Sequence, residues 1–211
     1  MRKLKVVEHI SLDGVIQLSG DGDFPFGTWT EPYRTPAGRD ALLAAYGEGF
    51  DLLLGRRTYD AWSGSWAKAP SSPMADRLNA ATKYVVTHRS ESLEWGPCEA
   101  VLPDVVESIR RIKSRNGPDL ILAGSMTLAS TVLEHGLADD LLLIVYPVVL
   151  GGGRRLFADG TPPRSLELVD TRAMPSGVVF GSYKIAEAPV GGRAQSWQEH
   201  RASNVLHAGR S

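Results

Sequence analysis

A chain of 211 residues is long enough for one α/β domain with a full hydrophobic core, and it leaves little room for a second domain. Its formal net charge of −1 gives no overall electrostatic reason to expect nucleic acid or a membrane surface as a partner. Its single cysteine, Cys98, excludes an intrachain disulfide, and the absence of clustered histidines argues against a metal site. The first residues lack an apolar signal segment and no apolar run approaches membrane-spanning length, so we expect a cytoplasmic protein.

The first 50 residues predict a strand, a long loop and a helix. Residues 4–10 form an apolar run typical of a strand, and the Asp13–Gly14 pair that follows predicts a tight turn. Residues 20–36 are rich in glycine, proline, aromatic and charged residues, a composition typical of a lid or a binding loop. Residues 37–48 place apolar side chains on one face of a predicted helix.

The stretch 51–62 has the pattern of a buried strand that carries positive charge at its carboxyl end. Three consecutive leucines predict a strand that is covered on both faces. Gly55 then allows a turn or the close approach of a ligand, and Thr58 is the predicted N-cap of the next helix. Arg56 and Arg57 lie between them, where forked guanidinium donors suit a phosphate. The alternative interpretation is a solvated pair of arginines after a core strand.

The rest of the chain predicts alternating helices and strands and then two strands without a helix between them. The predicted elements are a helix at 74–81, a strand at 83–89, a helix at 103–115, a strand at 120–125, a helix ending at Gly136, and strands at 141–153, 165–170 and 178–187. The adjoining last strands indicate that this part of the sheet is antiparallel. Residues 189–211 lose periodicity and are predicted to form a tail that is mobile unless a partner orders it.

Three predicted strands end in small, hydroxyl or basic residues. These ends lie at Gly55, at Thr87 and at Gly124, and the carboxyl ends of parallel strands are where an open α/β sheet binds its ligand. The last of them is a small turn, Ala123 to Ser125, which lets the amides of the following helix face a pyrophosphate. The alternative is an ordinary strand-to-helix turn with Ser125 as the N-cap.

Five motifs in this order, SLDGVI, LLLGRRTYD, KYVVTHR, LILAGSMTLASTVLEHGLADDL and PVVLGGGRRLF, resemble the dihydrofolate reductase superfamily. The resemblance is to the branch of the C-terminal reductase domain of the bifunctional riboflavin-biosynthesis deaminase-reductase and its stand-alone bacterial relatives, and it covers about residues 3–186. It implies a three-layer α/β/α fold with a central mixed, mostly parallel sheet and antiparallel C-terminal strands. It also implies one reductase domain over residues 1–188, and a homodimer to which the strand around 141–150 and the tail contribute.

The resemblance implies NADPH as the cofactor and places its phosphates at the three strand ends. The residues implied to bind it are Gly55, Arg56, Arg57, Thr58, Thr87, His88, Arg89, Ala123, Gly124, Ser125, Met126 and Thr127. In relatives the glycine turn at the position of Ala123–Gly124 contains a cis peptide bond. The segment after the first strand lines the nicotinamide side, so Ile10, Val15 and Ile16 are candidate ring contacts.

The substrate end matches the superfamily less closely. The candidate substrate residues are Asp13, Trp29, Tyr33 and Trp62. Asp13 has the alternative role of forming a turn, and the aromatic residues have the alternative role of packing the loops together. His9 lies on the first strand close to the expected nicotinamide, and its alternative is a core histidine whose hydrogen bonds are satisfied.

These observations lead to the hypothesis of an NADPH-dependent reductase. It transfers hydride to a C=N or C=O carbon of a small heterocyclic, pterin- or pyrimidine-like, or sugar-like substrate. No residue is assigned as the proton donor. The alternative is a non-catalytic small-molecule-binding protein that retains the reductase fold and uses its aromatic loops to hold a ligand.

Overall fold

The computed structural model describes residues 1–18, 24–101, 104–157, 161 and 163–186. Within these residues eight strands form one sheet, and five α-helices flank it. The strands are β1 Leu4–Ser11, β2 Phe50–Gly55, β3 Lys83–Val86, β4 Cys98–Val101, β5 Asp119–Ala123, β6 Asp140–Tyr146, β7 Leu166–Ala173 and β8 Val179–Ile185. The helices are α1 Pro36–Tyr46, α2 Arg56–Ser65, α3 Pro73–Ala80, α4 Val105–Ser114 and α5 Met126–Glu134. The predicted tail lies outside the described residues.

The strand order is β4-β3-β2-β5-β1-β6-β8-β7. The six strands from β4 to β6 are parallel, whereas β8 pairs antiparallel with both β6 and β7. The prediction of a mixed, mostly parallel sheet with antiparallel C-terminal strands is therefore confirmed. Because the parallel strands run in one direction, the carboxyl ends of β1, β2, β3 and β5 lie along one edge of the sheet.

Two apolar clusters cover the two faces of the sheet and make the fold three-layered. One cluster packs α1, α2 and α3 against the face that carries Val7, Leu52 and Ile121. The other packs α4 and α5 against the face that carries Val6 and Leu122. Neighbouring residues of one strand thus enter opposite clusters, as the alternation of side chains along a strand requires. No helix in the described part of the chain is both long and apolar enough to cross a membrane.

The structure corrects several predicted boundaries. Helix α2 begins at Arg56, directly after β2, so Gly55 takes the N-cap position and Thr58 lies in the first turn of the helix. Strand β6 ends at Tyr146 instead of continuing to residue 153, because Pro147 has no amide hydrogen to continue the ladder. Strand β4 was not predicted, since four residues after a Trp-Gly-Pro turn give too short a pattern.

Candidate functional site

The carboxyl ends of β2 and β5 approach each other closely. A Cβ atom built on Gly55 would lie 2.3 Å from Ser125 Oγ and 3.2 Å from Ser125 Cβ, so a larger residue would collide with the turn that follows β5. Thr58 donates its hydroxyl hydrogen to the carbonyl oxygen of Gly124 across 3.2 Å. Gly124 itself has φ of 67°, a left-handed conformation that favours glycine. The two predicted phosphate motifs therefore form one continuous surface.

Helices α2 and α5, which follow these two strands, begin without a side-chain cap. Gly55 has no side chain that could cap α2, and Ser125 stands at the N-cap of α5 without making a cap hydrogen bond. By contrast Thr35, Ser72 and Asp104 cap α1, α3 and α4 with hydrogen bonds to backbone amides. The alternative role of Ser125 as an ordinary cap is not seen. Uncapped helix N-termini present amide donors and a positive dipole end, which suits an anion.

Arg56 braces the edge of the site. Its Nε donates to Asp60 Oδ1 at 2.8 Å, and its Nη1 donates to the carbonyl oxygen of Arg89 at 2.8 Å. The guanidinium carbon also lies 5.8 Å from the centre of the Tyr59 ring. Arg56 therefore ties the start of α2 to the loop after β3, and part of its donor capacity is already used.

A cavity of about 370 Å³ opens between the carboxyl ends of β2, β3 and β4 and the start of α4. Its polar lining is basic, and its apolar lining comes from valines. The lining residues are Arg56, Arg57, Val86, Thr87, His88, Arg89, Val101 and Val105. Thr87 is buried and accepts the amide hydrogen of Arg89 at 3.0 Å, so it shapes the loop. The sequence interpretation missed Val101, because β4 was not predicted, and it placed Val105 on a helix without assigning it to the site.

The structure brings the three predicted strand ends to one edge, but it places the predicted nicotinamide contacts differently. Val15 and Ile16 are buried, and Ile10 is packed in the cluster on the α5 face. Their side chains are not open to a ligand here, and their role as ring contacts stays a prediction. Every peptide bond of the described residues is trans, including Ala123–Gly124, so the cis bond implied by the resemblance is not seen.

Asp13 holds two loops together. Its carboxylate accepts hydrogen bonds from the Ser11 hydroxyl at 2.6 Å and from the amides of Leu150 and Gly151 at 3.1 and 2.8 Å. The bond from Ser11 is the main cause that lowers the pKa of Asp13 to about 2, and the amide of Leu150 adds to it. This geometry matches the turn-forming role that the sequence left open, and the proposed contact with substrate stays a prediction.

The aromatic residues that were candidates for the substrate pocket fall into two groups. The rings of Trp29 and Tyr33 stand edge-on to the ring of Tyr146, with centroids 5.1 and 5.7 Å away. Trp62, near the C-terminal end of α2, contacts Trp66 with ring centroids 6.5 Å apart. Trp29 is buried and donates Nε1–H to the carbonyl oxygen of Gln17 at 2.7 Å, so its first role is packing.

Strand β1 carries Glu8, which the sequence interpretation did not use, and His9, for which it left open a place near the nicotinamide or a core position. Glu8 is 1% exposed, and its Oε1 has no hydrogen-bond partner. Burial raises the pKa of Glu8 to about 8, so the carboxyl is largely protonated at neutral pH. His9, on the opposite face, lies with its Nδ1 2.7 Å from the hydroxyl oxygen of Tyr146. A carboxyl between apolar strand residues is a sequence feature that could have flagged Glu8.

A family model described as the RibD C-terminal domain matches residues 2–180. The chain belongs to the RibD C-terminal domain family. By sequence, this chain is 29% identical to the uncharacterized protein YyaP of Bacillus subtilis (strain 168) over 133 residues. These residues are 61% of this chain and 70% of that protein. The match to the family model confirms the resemblance found in the sequence motifs.

Two solved structures share the fold. A putative riboflavin biosynthesis protein from Shewanella sp. PV-4 superposes with a TM-score of 0.65 at 20% identity, covering 88% of this chain and 99% of that one. Dihydrofolate reductase from Enterococcus faecalis, complexed with NADP(H), superposes with a TM-score of 0.60 at 13% identity, covering 88% and 97% of the two chains. The predicted dihydrofolate reductase-like α/β fold is therefore confirmed.

Replacing Gly55 by alanine tests the close approach of the two strand ends. We expect Gly55→Ala to lower the free energy of unfolding by about 1–3 kcal/mol, because the new methyl group overpacks against Ser125. Adding Ser125→Gly should recover most of that loss in a double-mutant cycle measured by urea denaturation. Gly64→Ala in α2, where a Cβ meets nothing within 4 Å, is the control and should not destabilise. Independent, additive losses would contradict the contact.

Replacing Glu8 by glutamine tests the buried carboxyl. The folded protein holds the proton of Glu8 up to a pKa of about 8 instead of the ordinary 4.5, so ionisation destabilises the wild type as pH rises through this window. At pH 9 we expect Glu8→Gln to be more stable than wild type by about 2–4 kcal/mol, with almost no difference at pH 4.5 or below. Thermal denaturation at pH 4, 7 and 9 measures this, with exposed Glu48→Gln as the control. A difference independent of pH would refute the buried position.

Proposed function

We propose that this protein is an NADPH-dependent reductase of small heterocyclic, pterin- or pyrimidine-like, or sugar-like substrates. The observation that supports the proposal is the basic cavity at the ends of β2, β3 and β4. It combines guanidinium groups from Arg56, Arg57 and Arg89 with an apolar wall of valines. Guanidinium groups suit a phosphate, and the valine wall suits the flat face of an adenine.

The glycine turn between β5 and α5 supports the position of a pyrophosphate. Gly124 is exposed, and the start of α5 has no side-chain cap hydrogen bond. The uncapped first turns of α2 and α5 offer amide donors from both sides of the contact between Gly55 and Ser125. A dinucleotide lying along this edge would extend from the basic cavity past Gly124 towards β1. The residues along this edge therefore fit a dinucleotide such as NADPH.

The roles of the cofactor and of the protein in the proposed reaction follow from this placement. Bound NADPH would supply the hydride, and the chain supplies orientation and electrostatics. Arg57, His88 and Arg89 would hold the 2′-phosphate, and Thr58, Ser125, Met126 and Thr127 would lie along the pyrophosphate. Trp29, Tyr33, Trp62 and Asp13 would border the substrate. We propose that residues 1–188 form this one reductase domain.

A non-catalytic ligand-binding role is supported by one observation on α1. The helix carries a single carboxylate, Asp40, which is exposed to solvent, so no carboxylate of α1 faces the core or a pocket. An acid on the first long helix is the group by which folate reductases hold their substrate, as the resemblance implies. Oxidation of NADPH in the presence of pterins, pyrimidines and carbonyl compounds separates the two roles, because a binding protein would show saturation without turnover.

We also propose a homodimer that uses the β7 edge of the sheet. Strand β6 pairs with β1 and β8 on its two sides, so the strand that was expected to contribute, around residues 141–150, has no free edge along β6. Strand β7 is the terminal strand, and its Leu168 and Val169 are 54% and 55% exposed. Exposed apolar residues on an unpaired edge favour pairing with a second chain.

Sedimentation equilibrium of wild type and Leu168→Lys tests the dimer. We expect a mass of two chains for the wild type, and a shift towards one chain for the variant, because lysine on an edge strand opposes pairing. The melting temperature of the dissociated variant should match that of wild type at high dilution. A wild type that sediments as one chain at every concentration would contradict the proposal.

Equilibrium titration with NADPH and NADH tests the cofactor site. Arg57→Gln removes a charge from the cavity without breaking the brace that Arg56 forms, so we expect NADPH to bind about tenfold more weakly and NADH to change by less than about twofold. Arg56→Ala should weaken both cofactors, since it also releases the loop after β3. Lys184→Gln, which removes a charge on β8, is the matched control and should change neither.

Two results would contradict the proposal in different ways. If wild type bound neither cofactor, the reductase function would be wrong. If Arg57→Gln weakened NADPH and NADH equally, the 2′-phosphate would lie elsewhere than in this cavity.

A further inference from the structure

Strand β1 is open on the β5 side at its carboxyl end. The pairing of β1 with β5 ends at Val7 beside Ala123, whereas the pairing with β6 continues to Ser11 beside Tyr146. The residues of β1 after Val7 therefore border the turn at Gly124 without a strand between them. His9 lies in this stretch, on the face covered by α1, α2 and α3, and it is partly exposed. Its imidazole thus stands beside the edge proposed to hold a dinucleotide.

The hydrogen bond between His9 and Tyr146 couples the orientation of the Tyr146 hydroxyl to the tautomer of the imidazole. Nδ1 of His9 lies 2.7 Å from the hydroxyl oxygen of Tyr146, and within the described residues that hydroxyl has no other partner. Burial raises the pKa of Tyr146 to about 12, so the phenol keeps its hydrogen at neutral pH. Where the Tyr146 hydroxyl donates to Nδ1, the neutral ring carries its own hydrogen on Nε2.

The imidazole is neutral at physiological pH. Burial, and then the positive charge of Arg34, lower the pKa of His9 to about 4. Nε2–H has no hydrogen-bond partner within the residues that the structure describes. A neutral imidazole whose Nδ1 accepts a hydrogen bond and whose Nε2–H has no partner is a fixed donor of the kind that polarises a carbonyl group.

Trp29, Tyr33 and Arg34 surround the His9–Tyr146 pair. They hold it in place and determine which ligands it can contact. The rings of Trp29 and Tyr33 pack edge-on against Tyr146, and the Trp29 indole is itself anchored to the Gln17 carbonyl oxygen. Arg34 follows Tyr33 and donates to the Thr30 hydroxyl at 3.4 Å. Flat aromatic rings, one neutral N–H donor and one nearby positive charge suit a planar heterocycle that carries a ring carbonyl or imine.

We propose that His9 and Tyr146 form the proton-donating pair of this site, with His9 Nε2–H donating to the carbonyl oxygen or imine nitrogen of a planar heterocyclic substrate. The assignment rests on the proposed function, in which NADPH is the reductant. As the unsaturated carbon gains a hydride, its oxygen or nitrogen gains the proton from Nε2. Nδ1 takes the proton of Tyr146 at the same time, and the resulting phenolate is stabilised by the charge of Arg34 and reprotonated by water.

Nitrogen-15 NMR of histidine in the full chain tests the pair without turnover. We expect His9 in wild type to be the neutral tautomer with hydrogen on Nε2 between pH 6 and pH 8, since its pKa is about 4. Tyr146→Phe should abolish this fixed tautomer and give a mixture, whereas Tyr183→Phe on β8, a matched loss of one hydroxyl group, should leave it unchanged. A charged His9 at neutral pH, or hydrogen on Nδ1 in wild type, would overturn the assignment.

Binding of two probes, pterin and uracil, by fluorescence and calorimetry tests the donor. We expect at least one probe to bind wild type, and His9→Ala and Tyr146→Phe to weaken it by about tenfold and threefold, as the loss of one hydrogen bond and of its orientation implies. NADPH affinity should fall by less than probe affinity in both variants, because neither residue lines the basic cavity. Equal probe affinity in wild type and His9→Ala, or no binding of either probe to wild type, would overturn the proposal.

The two proposals fail separately. If wild type did not bind NADPH but His9 carried its hydrogen on Nε2 and a probe still bound, the reductase function would be wrong. The role of His9 and Tyr146 in binding a heterocycle would then stand. NADPH binding with a charged or Nδ1-protonated His9 would keep the reductase function and remove this donor.

Discussion

The parallel pairing of β2 with β5 is the constraint on which the site depends. It brings the ends of two strands so close that Gly55 and Ser125 leave no room for another methyl group, and it directs the starts of α2 and α5 to the same edge. Neither helix is capped by a side chain, although the other three helices are. The fold therefore leaves backbone donors unsatisfied at one place, where an anion can complete them at little cost in reorganisation.

Strand β1 separates two chemical environments at this edge. Its α5 face buries Glu8 in apolar surroundings, and its other face presents the His9–Tyr146 pair among aromatic rings. Three arginines, Arg56, Arg57 and Arg89, are gathered at the ends of β2 and β3. A long ligand with a phosphorylated end and an uncharged aromatic end would match this change along the sheet edge, from arginines at β2 and β3 to aromatic rings at β1. A compact anion would bind only at the arginines.

Much of the fold was predictable from the sequence, because long apolar runs and helical periodicity mark β1, β2, β5, α1 and α5 without ambiguity. The convergence of Gly55, Thr87 and Gly124 was also predictable, since parallel strands end at one edge. The cavity wall from β4 was not, because a four-residue edge strand has too little pattern, although the helix α4 beside it was predicted. The brace made by Arg56 and the tautomer of His9 depend on contacts between residues more than 30 positions apart, which no local pattern encodes.

The most direct measurement is the binding of 2′,5′-ADP and of 5′-AMP to the full chain, followed by calorimetry and by amide chemical shifts. We expect 2′,5′-ADP to bind more tightly by about tenfold or more, because its 2′-phosphate meets the arginines. The shifts should concentrate at Arg57, Thr87, Arg89, Val101 and Val105, which line the cavity. Equal affinity for the two nucleotides, or shifts confined to other parts of the sheet, would contradict it.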